Sequence, residues 1–273
     1  EWLLQKELTY DLFKEVLFAM PKGKAVGAGG LSVELLCAAG DMAWRAFYEA
    51  LMADLREGSV PRHWKVVLYA LLQKPPPSSP DRVSEHREIA LMPQDMKILL
   101  QMVRWAAHQR IVGRMISAQG GWLSGFGATD PGLGAAAIMQ QARRLQTPLF
   151  LLYIDLATFF PRINREACNV RKMMVGLPRE VRELTALIYG LRKEDAVECF
   201  YDSAGGLGKG FKNWMGNLMG CVLSPDEAKI FLNSVLVAIH LVVKGVRLWG
   251  FGKDAVDDTV RRQGHAGECR KGG

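Results

Sequence analysis

The sequence predicts an α+β fold, and three observations carry that reading. Several stretches place apolar residues three and four apart, as an amphipathic helix does. Between them lie dense apolar runs of strand length, at 66–72 and 149–154. No internal repeat or heptad array is present, which sets aside solenoids, propellers and coiled coils.

Taken in order, residues 9–20 read as a helix with Leu12, Phe13, Val16, Leu17 and Met20 on one face. A Gly-rich segment, Gly23-Lys-Ala-Val-Gly-Ala-Gly-Gly30, follows. Asp41 is expected to cap a second helix reaching about Glu57, with Trp44, Phe47, Leu51 and Leu55 on its apolar face. Residues 66–72 read as a strand, and the Pro-, Ser- and charge-rich residues 75–87 cannot continue a regular element. Helices are expected over 94–116 and 135–145. Residues 149–154, Leu-Phe-Leu-Leu-Tyr-Ile, read as a buried strand ending at Asp155. Two further helices span 165–175 and 178–189, divided by Gly176. Residues 197–201 and 208–214 are expected to form a hairpin around Ser203-Ala-Gly-Gly206. Ser224-Pro225 opens a helix to about Val243, with Asp226 and Glu227 favoured by its N-terminal dipole. Residues 246–251 read as a short strand with Asp257 and Asp258 near its continuation, and the Gly- and Arg-rich residues 261–273 read as a disordered tail.

Composition bounds the function. Thirty-five Lys and Arg against 28 Asp and Glu give a net charge of +7, which favours polyanionic partners. Cys37, Cys168, Cys199, Cys221 and Cys269 are odd in number and contain no C-x-x-C, so neither a disulfide framework nor a zinc site is indicated. A reducing, intracellular setting is expected, nucleus or cytoplasm. The longest apolar stretch, 232–243, is interrupted by Asn233 and Ser234 and falls short of the roughly 20 residues that span a bilayer. No membrane partner is expected.

Three features carry chemistry. Asp155 ends an apolar run, where a carboxylate is costly unless paired or bound to a cation. Asp257 and Asp258 are adjacent between apolar neighbours, so they repel each other and gain from a cation. Gly220-Cys-Val-Leu-Ser-Pro225 is a tight turn leading into a helix. Carboxylates on adjoining strands can hold two divalent ions roughly 3.5–4 Å apart for phosphoryl transfer. By residue type alone, a strand-end Asp also serves as a turn former, and an Asp pair as a solvated loop.

Order and spacing add a resemblance. Tyr153-Ile-Asp155-Leu-Ala-Thr-Phe-Phe160 resembles the first palm motif of reverse transcriptases. Gly216-Asn-Leu-Met-Gly220-Cys-Val-Leu-Ser-Pro225 resembles the second, and Ala255-Val-Asp257-Asp258 the Y-A-D-D of the third. The Gly-rich segment at 23–30, Gly58-Ser-Val-Pro-Arg-His-Trp64, Leu72-Gln-Lys-Pro75, Arg87-Glu-Ile-Ala-Leu91 and Gly125-Phe126 are similar, in family order, to segments of non-LTR retrotransposon enzymes. Five positions depart from the family: Met219 stands where it has Gln, Ala255 where it has Tyr, Gly29 where it has Asp, Glu88 where it has Pro, and Pro161 where Asp is common.

The resemblance implies a right-hand polymerase, with fingers over 1–148 and a palm over 149–260. An antiparallel palm sheet would carry Asp155 and the Asp257–Asp258 pair, packed on helices. It implies RNA-directed DNA polymerisation by a two-metal mechanism, with RNA template, DNA primer, deoxynucleoside triphosphates and two Mg²⁺ (or Mn²⁺) ions held by Asp155, Asp257 and Asp258. Phe160 would be the steric gate against a 2′-hydroxyl, Lys74 and Arg87 would approach the triphosphate, and Gly220 would shape the turn beside the nucleotide. The family continues after the Asp pair into a thumb, so the chain is expected to be truncated after that motif, with the thumb absent. The alternatives are a catalytically inactive, reverse-transcriptase-like nucleic-acid-binding module and a decaying retroelement fragment.

Overall fold

A computed structural model describes residues 4–76, 79, 82–112, 114–115, 121, 127, 129–191, 196–203 and 206–242. Asp257, Asp258, Gly125, Phe126, the expected strand at 246–251 and the tail at 261–273 lie outside the described residues.

The chain is α+β, as expected. It opens with α1 (Leu4–Glu7), α2 (Tyr10–Ala19), α3 (Val33–Ala38) and α4 (Asp41–Glu57), then β1 (Val66–Gln73) and β2 (His86–Leu91). The helices α5 (Gln94–Val112), α6 (Thr129–Arg144), α7 (Phe159–Arg162), α8 (Arg165–Met174) and α9 (Arg179–Tyr189) follow. The strands β3 (Val197–Ser203), β4 (Gly206–Leu207) and β5 (Phe211–Asn213) precede the long helix α10 (Ser224–Val242).

Local chemistry accounts for most of these bounds. Thr9, Ser32 and Asn164 cap α2, α3 and α8 through their side chains, each accepting from a backbone N–H three residues on. At α4 the cap is Gly40 rather than the expected Asp41, which lies in the first turn where its charge favours the helix dipole. Gly58 closes α4 in the left-handed region, its N–H and that of Ser59 returning to Leu55 and Asp54. Helix α6 starts six residues before the expected position: Pro131 sits in its first turn, where a missing N–H costs nothing.

The sheet differs from the expected one. β1 pairs antiparallel with β2 and parallel with β3, and β3 pairs antiparallel with β5 and, at its end, with the two-residue β4. The sheet is therefore mixed rather than antiparallel. The expected hairpin is present as β3 with β5. β2 lay partly in a stretch expected to be loop; its polar sequence hides it, and pairing with the apolar β1 decides it.

The expected strand at 149–154 is a correction. Among the described residues no regular structure covers it, and its side chains are not buried: Phe150 is 93% exposed and Tyr153 80%. A strand needs a hydrogen-bonded neighbour, and no described strand pairs with this run, so its composition does not suffice. Asp155 is consequently not on the sheet.

The core forms around α5, which packs on α2; Met96, Leu99 and Val103 share one buried cluster with Phe13 and Leu17, and it extends to Trp64, Val67 and Val197. A second small cluster of Ile163, Cys168 and Ala228 joins α8 to α10, with Phe159, Phe160 and Phe231 against it. Among the described residues no helix is long and apolar enough to cross a membrane.

Burial pushes the Cys168 thiol up to about 12 and the Cys199 thiol up to about 11. Folding raises both values, so the stability they contribute is intact below the ordinary thiol value and is lost as pH climbs from about 9 towards them. Each thiol contributes a slope of up to about 1.4 kcal/mol per pH unit in that window. The urea midpoint is expected to drop between pH 8 and pH 10, and to drop less in Cys168→Ala. An unchanged midpoint across that range contradicts this.

Candidate functional site

The family-like segments, far apart in sequence, pack against one another in pairs. Gly27 lies so close to the backbone of Met92 and Pro93 that a Cβ there would sit 2.5 Å from the Pro93 nitrogen. Gln94 Nε2 donates to the Ala25 carbonyl at 3.0 Å, tying the Gly-rich segment to the start of α5. The segment ending in Trp64 joins the same place. The Trp64 indole N–H donates to Asp95 Oδ2 at 2.8 Å, and His63 Nε2 lies 2.6 Å from the same oxygen. Asp95 stands in the first turn of α5, where the helix dipole favours its charge.

The turn at 216–225 sits at the junction. On one side, the Ala90 N–H of edge strand β2 donates to the Met219 carbonyl at 2.6 Å. That contact satisfies a donor that an edge strand would otherwise leave outward. Gly220, with φ +111, lies so near that a Cβ would be 2.6 Å from the Ala90 oxygen. On the other side, Gly216 N–H donates to Ile163 O at 2.9 Å and Asn217 N–H to Phe160 O at 2.8 Å. A Cβ at Gly216 would sit 2.5 Å from the Pro161 Cα. Two glycines thus let the turn lie directly on the backbones of β2 and α7.

Phe160, Gly220 and the β2 strand of Arg87 are therefore brought together. Phe160 is half-buried, its ring 5.9 Å from that of Phe159 in the small α8–α10 cluster. Arg87 is exposed and pairs across the hairpin with Leu72. By strand alternation it lies on the opposite face from Ala90. Lys74 is at the far end of the hairpin and engaged: its N–H donates to Glu85 O at 2.8 Å and its Nζ to Ser84 O at 2.6 Å. Lys74 is thus level with Glu85, five residues or about 16 Å along β2 from Ala90.

Asp155 is exposed in the segment before α7, five residues from Phe160. It is the one member of the carboxylate trio among the described residues, and there no group of three His, Cys, Asp or Glu side chains is gathered to hold a metal. An exposed carboxylate can take up a hard divalent cation without first losing a protein partner. The donor type fits Mg²⁺, and Asp155 alone would supply one ligand of a set that needs others.

Behind the turn lies a buried polar group that sequence reasoning missed. Lys172 and Glu227 form an ion pair, each under 10% exposed, and Lys172 Nζ also donates to Thr185 Oγ1 at 2.9 Å. The Tyr189 hydroxyl meets the Cys221 thiol. Burial raises the pKa of both. Arg165 Nε donates to the Gly216 carbonyl at 2.7 Å. A cavity among Arg165, Lys172, Tyr189, Asn217 and Glu227 has room for about one water, too little for a nucleotide. Helix periodicity marks Arg165 and Lys172 only as charges on α8; their partners lie up to 55 residues away and leave no local signal.

No protein-family model matches the chain, and no curated protein matches it.

Proposed function

We propose that the chain is part of a reverse transcriptase domain of a retroelement, an RNA-directed DNA polymerase performing template-directed nucleotidyl transfer. The observation that supports this most is the docking of the turn at 216–225 between β2 and the α7 turn, which joins three segments that each resemble a motif of that family. In this reading residues 1–148 belong to the fingers and 149–260 to the palm. The apolar residues exposed at 150–154 are then those that an adjoining palm strand covers.

Roles follow from the chemistry of the side chains. Asp155, with Asp257 and Asp258, holds the divalent ions; Mg²⁺ bound there supplies charge stabilisation at the transferring phosphoryl group. The Phe160 ring, on a residue whose main-chain carbonyl accepts from the Asn217 N–H, offers an apolar wall that cannot satisfy a 2′-hydroxyl. Arg87 is free in orientation to attract a triphosphate, whereas Lys74 must exchange its bond to Ser84 to do so. Met219 cannot donate the hydrogen bond that a Gln supplies at that position.

The full chain is expected to extend a DNA primer on an RNA template with deoxynucleoside triphosphates and Mg²⁺ or Mn²⁺. Asp155→Asn and Asp257→Asn each lower the rate by about a hundredfold or more. Equal background in all three proteins removes the enzymatic reading. Salt-dependent RNA binding without extension supports the second reading, a catalytically inactive nucleic-acid-binding module, which Met219 and Ala255 favour.

A further inference from the structure

We propose that Arg165 is a positioning residue for this same site, acting as a clamp that sets the turn at 216–220 against α7; the proposal rests on the functional reading above for its catalytic consequence. Arg165 is 6% exposed, and none of its hydrogen bonds goes to a carboxylate. Nε donates to Gly216 O at 2.7 Å, and Nη1 to Tyr189 O at 2.6 Å, Asn213 O at 3.0 Å and Gly190 O at 3.3 Å. Nη2 donates to Asn213 Oδ1 at 3.2 Å. One planar fork of five N–H donors therefore binds three separate pieces of chain: the C-terminus of α9, the end of β5 and the start of the turn.

Two features make this more than packing. The carbonyls of Tyr189 and Gly190 close α9, where the last carbonyls lack helical partners and carry the negative end of the dipole, so a cation is favoured there. Gly216 is also held from both sides: its N–H donates to Ile163 O, and its carbonyl accepts from Arg165. The next residue, Asn217, is fixed to Phe160 O. The peptide that leads into Gly220 thus has its orientation set by Arg165 on one face and by α7 on the other. A lysine places its charge on one nitrogen and cannot reach three pieces of chain in a plane.

The test compares the full chain with Arg165→Lys and Arg165→Gln by amide hydrogen exchange and by single-nucleotide incorporation. In Arg165→Lys the amides of Gly216 and Asn217 are expected to exchange about tenfold faster or more, while those of α5 keep their wild-type protection. A displaced turn lowers kcat by about tenfold to a hundredfold and leaves KM for the nucleotide within about threefold. Wild-type exchange at Gly216 and Asn217 in Arg165→Lys overturns the clamp. Equal loss of protection in α5 also overturns it, since that marks general destabilisation. Where Arg165→Gln does not fold, Arg165→Lys decides the matter. Asn213→Ala, which removes the Nη2 acceptor together with the Asn213 bonds to the Tyr69 hydroxyl and the Met215 N–H, is read beside Tyr69→Phe, which removes the Tyr69 bond and keeps the acceptor. If the wild-type chain incorporates no nucleotide, the functional reading fails, and the exchange data still judge the clamp.

Discussion

Lys172→Met is expected to lower the unfolding free energy by about 3 kcal/mol, because it leaves Glu227 buried without its counter-charge. The range for breaking such a pair runs to about 5 kcal/mol, and two observations place this case near the lower end. Glu227 lies in the first turn of α10, where the helix dipole offsets part of its charge. The methionine also refills most of the volume that Lys172 occupied beside Cys168 and Thr185. The double variant Lys172→Met/Glu227→Gln is expected to recover most of the loss, since replacing both charges removes the penalty of a lone buried ion. Urea denaturation of the wild type, both single variants and the double variant checks this. A double variant as unstable as the sum of the singles contradicts the pairing.

Gly216→Ala is the second large effect, at about 3 kcal/mol. Two costs add. The backbone at φ +79 is one that L residues rarely adopt, a strain of about 1 kcal/mol or more. The new methyl would lie 2.5 Å from the Pro161 Cα, and a backbone atom cannot rotate away as a side-chain tip can. Gly30→Ala separates the terms: its φ is +67, but nothing lies within 4 Å of the added methyl, so about 1 kcal/mol is expected there. Equal urea midpoints for the two variants would show that the turn does not rest on α7.

Much of the fold is legible in the sequence because amphipathic spacing is a local signal. Helices α2, α4, α5, α8, α9 and α10 fall close to their expected positions. Strand β1 is found by its apolar run and β3 with β5 by the glycines between them. What fails depends on partners. Leu149 to Ile154 have the composition of a buried strand, yet no described strand offers them hydrogen bonds. β2 has a polar composition and exists because β1 pairs with it. The parallel pairing of β1 with β3 joins residues about 130 positions apart and leaves no mark on either segment.

The site divides in the same way. Motif order singles out Phe160 and Gly220, and both lie at the turn at 216–225 or against it. Asp155 is exposed in the segment before α7, and its expected place on a sheet is not what the chain adopts. Arg165 is invisible because all but one of its partners are main-chain carbonyls, which every residue carries. The Asp257–Asp258 pair lies outside the described residues.

Template-directed addition is what the proposed function requires of the chain, and single-nucleotide reactions test it most directly. A DNA primer annealed to RNA with a defined next base is offered each deoxynucleoside triphosphate separately, with Mn²⁺ or Mg²⁺. A reverse transcriptase domain is expected to add the complementary nucleotide, to lose addition in Asp155→Asn, and to lose it on chelation of the divalent ion. Addition that ignores the template base, or that survives unchanged in Asp155→Asn, would contradict it.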